Sequence, residues 1–445
     1  MKKKFKLSVW QFLALGYLAV ILLGSVLLIL PFATEEGQST SYLNALFVST
    51  SATCVTGLTP YDSGTHWSLF GQIVILLLIQ TGGLGFMSFV STVFLLFRRK
   101  IGLYERKVFL AAAGGRKLSG VSELIKRIFI GTAIFELSGA CLLSIRFIGD
   151  FGAAKGIYYA VWHSVSAFCN AGFDLVGVGG ISLSAYAADP LVSLTLCALI
   201  IIGGLGFCVW GDVTDCKCNP AKFQLNTKIV LFVSLVLLTA STALYMVFEW
   251  NNPFYGDYNF GQKLLCSFFQ ATTPRTAGFF TTPPETLSDS GYLLTLILMF
   301  IGGSSGSTAG GIKVGTIAVI VMGMIGVFRG RKDINIGKKR IEYSLLSQAL
   351  AIFAACLMLT MVATLIMCAA DPNAPVKEAL FECVSAMSTS GLSLGLTPSL
   401  NAASRCILII LMYCGRVGIL TLALSLGERR TTSAVRKPVN TLLIG

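Results

Sequence analysis

The chain has 445 residues, 54% of them hydrophobic and 12% charged, with a mean hydropathy of +0.77. A soluble domain carries about 25% charged residues, so a polar shell around one core is excluded, as is a disordered chain, which needs high charge and low hydrophobicity. The 34 basic and 21 acidic residues leave a net charge of +13, but Lys and Arg fall in short clusters between long apolar runs, the pattern of a polytopic membrane protein and not of nucleic-acid binding.

A helix needs about 20 apolar residues to cross a bilayer. Taken in chain order, residues 10–31, 69–97, 128–148, 191–210, 229–250, 345–370 and 406–426 read as full spans. The first follows Met1 and three lysines but is too long for a signal peptide and lacks a cleavage site. The eighth span is interrupted. Residues 292–301 are too short to cross, and Gly302, Gly303, Ser304, Ser305, Gly306, Ser307, Thr308, Ala309, Gly310 and Gly311 separate them from a second apolar run at 312–328. This reads as one helix broken at membrane depth, tolerated only beside protein or a water-filled cavity. Basic residues cluster at the two termini and in alternate loops, from Arg98 to Arg127, from Lys217 to Lys228 and from Arg329 to Arg340. The remaining loops carry Glu35, Asp62, Asp174, Asp189, Asp289 and Asp371. The positive-inside rule places both termini in the cytoplasm and an acidic face outside. Most of the 13 cysteines sit in apolar runs as small hydrophobes; Cys216 and Cys218 have no second Cys/His pair at zinc spacing.

Between paired spans lie four shorter semi-polar segments, ending at Gly57, Gly172, Gly278 and Gly391, spaced 115, 106 and 113 residues apart. Ten residues before each Gly stands an aromatic (Phe47, Trp162, Phe268, Phe381), and six before it a hydroxyl (Ser51, Ser166, Thr272, Ser385). A second Gly-rich marker follows each: Gly82 to Gly85, Gly203 to Gly206, Gly302 to Gly306, Gly415 to Gly418. Two markers repeating four times in register imply a fourfold unit of outer helix, half-inserted pore helix with a Gly-ended loop, and inner helix. A half-inserted helix points the negative end of its dipole at the membrane centre. Four such ends, with loop carbonyls aimed inward, suit a dehydrated monovalent cation. None of the segments has Asp or Glu in the three residues before its Gly, which argues against a carboxylate ring for Ca²⁺.

These segments, with the 302–311 run and Arg416, resemble the Trk/Ktr/HKT superfamily of K⁺ transporters, most closely its KtrB-type membrane subunits. The resemblance spans essentially the whole chain and rests on Cys54-Val-Thr-Gly-Leu58, Thr273-Pro-Arg-Thr-Ala-Gly-Phe279 and Ser305-Gly-Ser-Thr-Ala-Gly-Gly-Ile-Lys313. It implies an all-α integral membrane fold of four repeats around a pseudo-fourfold pore, at 1–100, 101–215, 216–330 and 331–445, in the cell inner (plasma) membrane. It implies a K⁺ filter from Val55, Thr56 and Gly57; Asn170, Ala171 and Gly172; Thr276, Ala277 and Gly278; Thr389, Ser390 and Gly391. Glycine at all four positions points to K⁺ over Na⁺. The 302–311 loop with Lys313 and Arg416 would form the gate. Arg416 is then an electrostatic barrier beside a movable plug, or else a structural Arg bonded to backbone carbonyls; Lys313 anchors the loop or snorkels. Glu136 and Arg146 read as structural. The resemblance further implies a homodimer, lipid contact, a cytoplasmic ring of nucleotide-binding (KtrA-type) subunits docking near Lys338, Lys339, Arg340 and residues 429–437, no cofactor in this chain, and K⁺ as the transported ion with Na⁺ as a coupling candidate.

Other chemistries fit less well. The run from Gly302 to Gly306 matches a G-x-S-x-G elbow, but no strand precedes it and the two histidines, His66 and His163, fall in outer loops or segments. Ile312 interrupts a phosphate-loop register before Lys313. The chain is therefore expected not to be an enzyme. A secondary transporter for a small organic solute is the alternative; it predicts twofold repeats.

Overall fold

The computed structural model describes residues 8–85, 108, 121–177, 182–256, 258–330, 334–336 and 339–426. Four long helices form its periphery: α1 (Val9–Leu28), α5 (Val121–Phe151), α9 (Leu225–Phe248) and α13 (Tyr343–Ala370). Among the described residues these four are long and apolar enough to cross a membrane. Their faces expose Leu23, Ile145, Val247 and Leu365 at 66–72%, a surface stable against lipid tails but not against water.

A short helix follows each: α2 (Tyr42–Cys54), α6 (Ala153–Phe168), α10 (Phe260–Thr272) and α14 (Val376–Ser388). The four-residue α3 (Ser63–His66) lies between α2 and the first inner helix. The inner helices are α4 (Leu69–Gly83), α7 (Pro190–Leu205) continued by α8 (Phe207–Asp215), α11 (Asp289–Phe300) resumed as α12 (Val314–Phe328), and α15 (Ala402–Val417) continued by α16 (Ile419–Leu426). Every inner helix starts on a side-chain cap. Ser68, Asp189, Ser288 and Asn401 accept from Gly71, Leu191, Gly291 and Ser404 backbone N–H groups, each cap worth about 1 kcal/mol.

The inner spans depart from expectation. Residues 191–210 and 406–426 were expected as single spans, but they bend by 88° and 91° at Gly206 and Gly418. Those glycines have φ 96° and 88° with extended ψ, a region closed to residues with a Cβ. Gly85 (φ 82°) and Gly306 (φ 69°) occupy the equivalent places. The break expected in repeat three alone thus recurs in repeats two and four, because the second Gly-rich marker is itself a left-handed break. The span expected at 69–97 is helical to Gly83; residues 86–107 lie outside the described residues. The fold is mostly helical, with one two-stranded antiparallel hairpin, β1 (Ile334–Ile336) with β2 (Lys339–Ile341), pairing Ile334 opposite Ile341.

Packing closes the helices into a ring. Each short helix lies against its own outer helix, and each inner helix reaches the next short helix: α4 on α6, α7 on α10, α11 on α14, and α15 back on α2.

Candidate functional site

The four Gly-ended segments meet at the centre of this ring. Two residues before each Gly, Val55, Asn170, Thr276 and Thr389 take φ of 57°, 59°, 75° and 53°. The glycines have φ of 97°, 69°, 81° and 84°, while the residue between keeps negative φ. This alternation of hand turns successive carbonyls to one side of the chain. A non-Gly residue held left-handed costs about 1–2 kcal/mol, so the conformation is imposed by the surroundings and recurs four times.

The carbonyls close a circle. A Cβ on Gly57 would lie 2.5 Å from the Ala171 carbonyl oxygen, one on Gly172 2.6 Å from that of Ala277, one on Gly278 3.0 Å from that of Ser390, and one on Gly391 against that of Thr56. Each Gly therefore faces the carbonyl just before the next Gly, and the fourth faces the first. Of the residues expected at this place, Thr56, Gly57, Ala171, Gly172, Ala277, Gly278, Ser390 and Gly391 meet in this circle.

The backbone is tied to the short helices behind it. Thr56, Ala171 and Ser390 N–H groups donate to the carbonyls of Ser51, Ser166 and Ser385, each at 2.8 Å. The third segment differs: Ala277 N–H donates to Thr273, one residue later in register, at 2.9 Å. Its loop-tethering hydroxyl is Thr273, which donates to the Phe279 carbonyl as Ser166 does to that of Phe173. Its fully buried aromatic is Phe269, not Phe268. The markers expected at Thr272 and Phe268 are thus corrected by one residue, since Pro274 follows directly and the turn is one residue shorter.

Side chains nine residues before Gly172 and Gly391 clamp the chain just beyond them. His163 Nε2 lies 3.2 Å from Asp174, whose Oδ1 also accepts from the N–H groups of Val176 and Gly177. Burial alone would push the Asp174 carboxyl up, but these bonds hold it below the ordinary carboxylate range. In the fourth segment Glu382 accepts from Ser393 and, at 2.9 Å, from Thr397. The sequence reasoning gave these two pairs no role; their signal was a polar residue at the same offset on both sides of the Gly.

On the other side of the glycine ring the inner helices press close. Cβ atoms on Gly82, Gly203 and Gly415 would run into the carbonyls of Thr53, Phe168 and Met387, in each case four residues before the segment's Gly. In repeat three that packing is replaced by the 302–311 loop, where Gly302 faces the Gly310 carbonyl. The loop is woven into repeat two: Ser304 N–H donates to Gly204 (2.9 Å), Thr308 N–H to Gly203 (3.3 Å), and Phe207 N–H to Gly306 (2.8 Å). Lys313 Nζ donates back to the carbonyls of Ala309 (2.7 Å) and Gly310 (3.2 Å), so it anchors the loop. Arg416 donates to the carbonyls of Thr308 and Gly82, and to that of Gly83 at 3.1 Å. The two readings of Arg416 coincide: its carbonyl bonds are the contacts that place its charge beside the loop. Glu136 accepts from Gln80 of α4 at 3.2 Å and Arg146 pairs with Asp189, the cap of α7, at 3.2 Å, both contacts between elements, while its contact with Asp150 at 3.5 Å lies within α5. Lys338 and residues 429–437 lie outside the described residues.

Comparison with known proteins assigns the chain to a family. The family described as TrkH, cation transport protein, matches residues 17–429. The chain is 38% identical to the potassium/sodium uptake protein NtpJ of Enterococcus hirae, over 100% of this chain and 99% of that one. It is 38% identical to the Ktr system potassium uptake protein B of Bacillus subtilis (98% and 96% covered) and 35% to that of Vibrio alginolyticus (98% and 94%). The crystal structure of the potassium transporter TrkH from Vibrio parahaemolyticus superposes with a TM-score of 0.74 over 96% of this chain and 86% of that one, at 20% identity, a likeness of fold. An enzymatic role is set aside by this kinship: the chain is a multi-pass membrane protein and belongs to the TrkH family of cation transport proteins.

Proposed function

We propose that this chain is the K⁺-translocating membrane subunit of a Ktr-type uptake system, with the ring of Gly57, Gly172, Gly278 and Gly391 as its selectivity filter. The observation that carries this is the closed circle in which each Gly faces the carbonyl preceding the next. Carbonyl dipoles replace the hydration shell of a monovalent ion without the trapping charge of carboxylates, and four repeats around one axis supply them from all sides. The names of the relatives add potassium as the cargo. The organic-solute alternative gains nothing from a site this narrow, built from backbone.

The 302–311 loop, pinned by Lys313 and Arg416 across the axis, serves as the gate. The filter opens outward and both termini lie in the cytoplasm of a plasma-membrane protein, as the basic loops indicate. The chain works as a homodimer in lipid, on a cytoplasmic ring of nucleotide-binding KtrA-type subunits; three of the relatives are named as Ktr system potassium uptake proteins. At about −100 mV a monovalent cation gains about 2.3 kcal/mol on crossing inward, enough for roughly fortyfold accumulation without coupling. Accumulation beyond that limit requires coupling, with Na⁺ as the candidate, whereas an activating Na⁺ raises the rate without moving the limit.

The test is K⁺ and Na⁺ flux in proteoliposomes at fixed voltage, with Na⁺ varied, for wild type and Gly57→Ser. The Ser Cβ enters the space of the Ala171 carbonyl, so the K⁺/Na⁺ ratio is expected to fall several-fold. An unchanged ratio removes Gly57 from the filter.

A further inference from the structure

We infer that Thr389 is a specificity-positioning residue through which the 302–311 loop sets the ion preference of the glycine ring. The inference rests on the filter and gate readings above and deepens them.

Thr389 is fully buried and β-branched, yet sits at φ 53° and ψ 46°. A β-branched residue there is an outlier that persists only when its neighbours hold it. The neighbours are two glycines on different elements. Gly310 of the loop lies so close that a Cβ on it would fall on the Thr389 hydroxyl and 3.0 Å from its Cγ2. A Cβ on Gly415 of α15 would lie 3.1 Å from that Cγ2. The hydroxyl has no hydrogen-bond partner, so shape and not a polar bond holds the side chain. A Cβ on Gly311, at φ 63°, would lie 3.0 Å from the Ser388 carbonyl on the same surface.

The equivalent residues are held differently. The Asn170 amide, oriented to donate, reaches the carbonyls of Ile200 (3.2 Å) and Ala167 (3.0 Å), and Gly204 approaches it only at an ordinary 3.5 Å. Neither Val55 nor Thr276 is among the nearest atoms to a loop glycine. Gly310 and Gly311 of the loop thus press on the fourth segment, and its Ser390 carbonyl and Gly391 close the ring onto Gly278 and Thr56. When the loop moves, Gly310 withdraws, the brace on Thr389 is lost, and the closing contact relaxes. Loop position and ion preference are then one equilibrium, not two.

The experiment is a double-mutant cycle on the full chain in proteoliposomes, reading the K⁺/Na⁺ flux ratio. Gly310→Ala forces Thr389 aside and is expected to lower the ratio by about fivefold or more. Thr389→Ala removes the atoms that the new methyl meets, so adding Gly310→Ala to it is expected to change the ratio by less than about twofold. In a Thr389→Val background, which keeps the branched shape and drops the hydroxyl, Gly310→Ala is still expected to lower the ratio by about fivefold or more, because the γ-methyl still meets the new methyl. Independent, additive effects of Gly310→Ala and Thr389→Ala overturn the inference. So does a Val variant that behaves like Ala. Gly57→Ser, measured alongside, separates the failures: if it too leaves the ratio unchanged, the filter reading is at fault and not the link to the loop.

Discussion

Gly391 and Gly37 share nearly the same backbone, φ 84° and 80°, but only Gly391 has a neighbour where its Cβ would be, the Thr56 carbonyl; Gly37 faces open space. Gly37→Ala is therefore expected to cost only backbone strain, about 1 kcal/mol of stability, with flux unchanged. Gly391→Ala is expected to reduce K⁺ flux at least about tenfold, because strain and collision add at the ring. Flux and thermal unfolding of the two purified variants check both. Asp174 makes a second residue-scale prediction. Its folded carboxyl titrates below the usual carboxylate range because His163 and two N–H groups favour the charged form over the opposing cost of burial. A depressed acid stabilises above its unfolded pKa of about 3.9, and that contribution is lost as pH falls through the folded value. Asp174→Asn should thus destabilise by about 2 kcal/mol at pH 7, and the gap from wild type should close only in acid below the ordinary range. A gap that stays constant with pH would show that the charge is not what the site holds.

Between elements, the inner helices share one device and differ in one consequence. A Gly at positive φ follows or bends each of them, at Gly85, Gly206, Gly306 and Gly418, and in repeat three α11 ends at Phe300 and the 302–311 loop separates it from α12. Backbone bonds to repeat two and the Arg416 guanidinium of repeat four hold that loop. Arg416 donates charge-assisted bonds to loop and α4 alike, each worth about 1.5–3 kcal/mol. Arg416→Ala removes both the tether and the charge and is expected to raise K⁺ flux about tenfold or more, as shortening the 302–311 loop should. Arg416→Lys keeps the charge but cannot span three carbonyls with a planar fork, so its flux should lie between. Flux in single-protein liposomes decides it: an abolished current in a correctly folded Ala variant is incompatible with a plug.

For the whole molecule, an open K⁺ path would collapse the membrane potential, so control must act on the gate. The proposed docking assigns Lys338, Lys339, Arg340 and the basic residues at 429–437 to an acidic partner surface. Reversing these charges is expected to release a nucleotide-binding ring in a pull-down and to remove the ATP response of K⁺ flux while leaving the K⁺/Na⁺ ratio intact. Anionic lipid attracts the same residues at about 1 kcal/mol per charge. Retained ring binding, with loss only of lipid preference, would assign them to the membrane instead.

The sequence by itself determined the membrane class, the four Gly-ended segments and the broken third helix, because each is a local matter: run length against bilayer thickness, and glycine where only glycine can turn. It placed Arg416 and Lys313 beside the loop through a family likeness, not through spacing. Only the tertiary structure decided what those local features touch. That Gly391 faces Thr56 across 335 residues of chain and that Gly310 bears on Thr389 are contacts between repeats, while Gly82, Gly203 and Gly415 rest on carbonyls four residues before their own repeat's glycine, a packing that needs the inner helix folded back. The one-residue shift that makes Thr273 and Phe269 the working residues was hidden for the same reason: alignment on the glycine assumes equal turns, and only the hydrogen bonds show that the third turn is shorter. Periodicity along a chain records how each repeat folds on itself, whereas closure around an axis depends on surfaces that meet only after all four have folded.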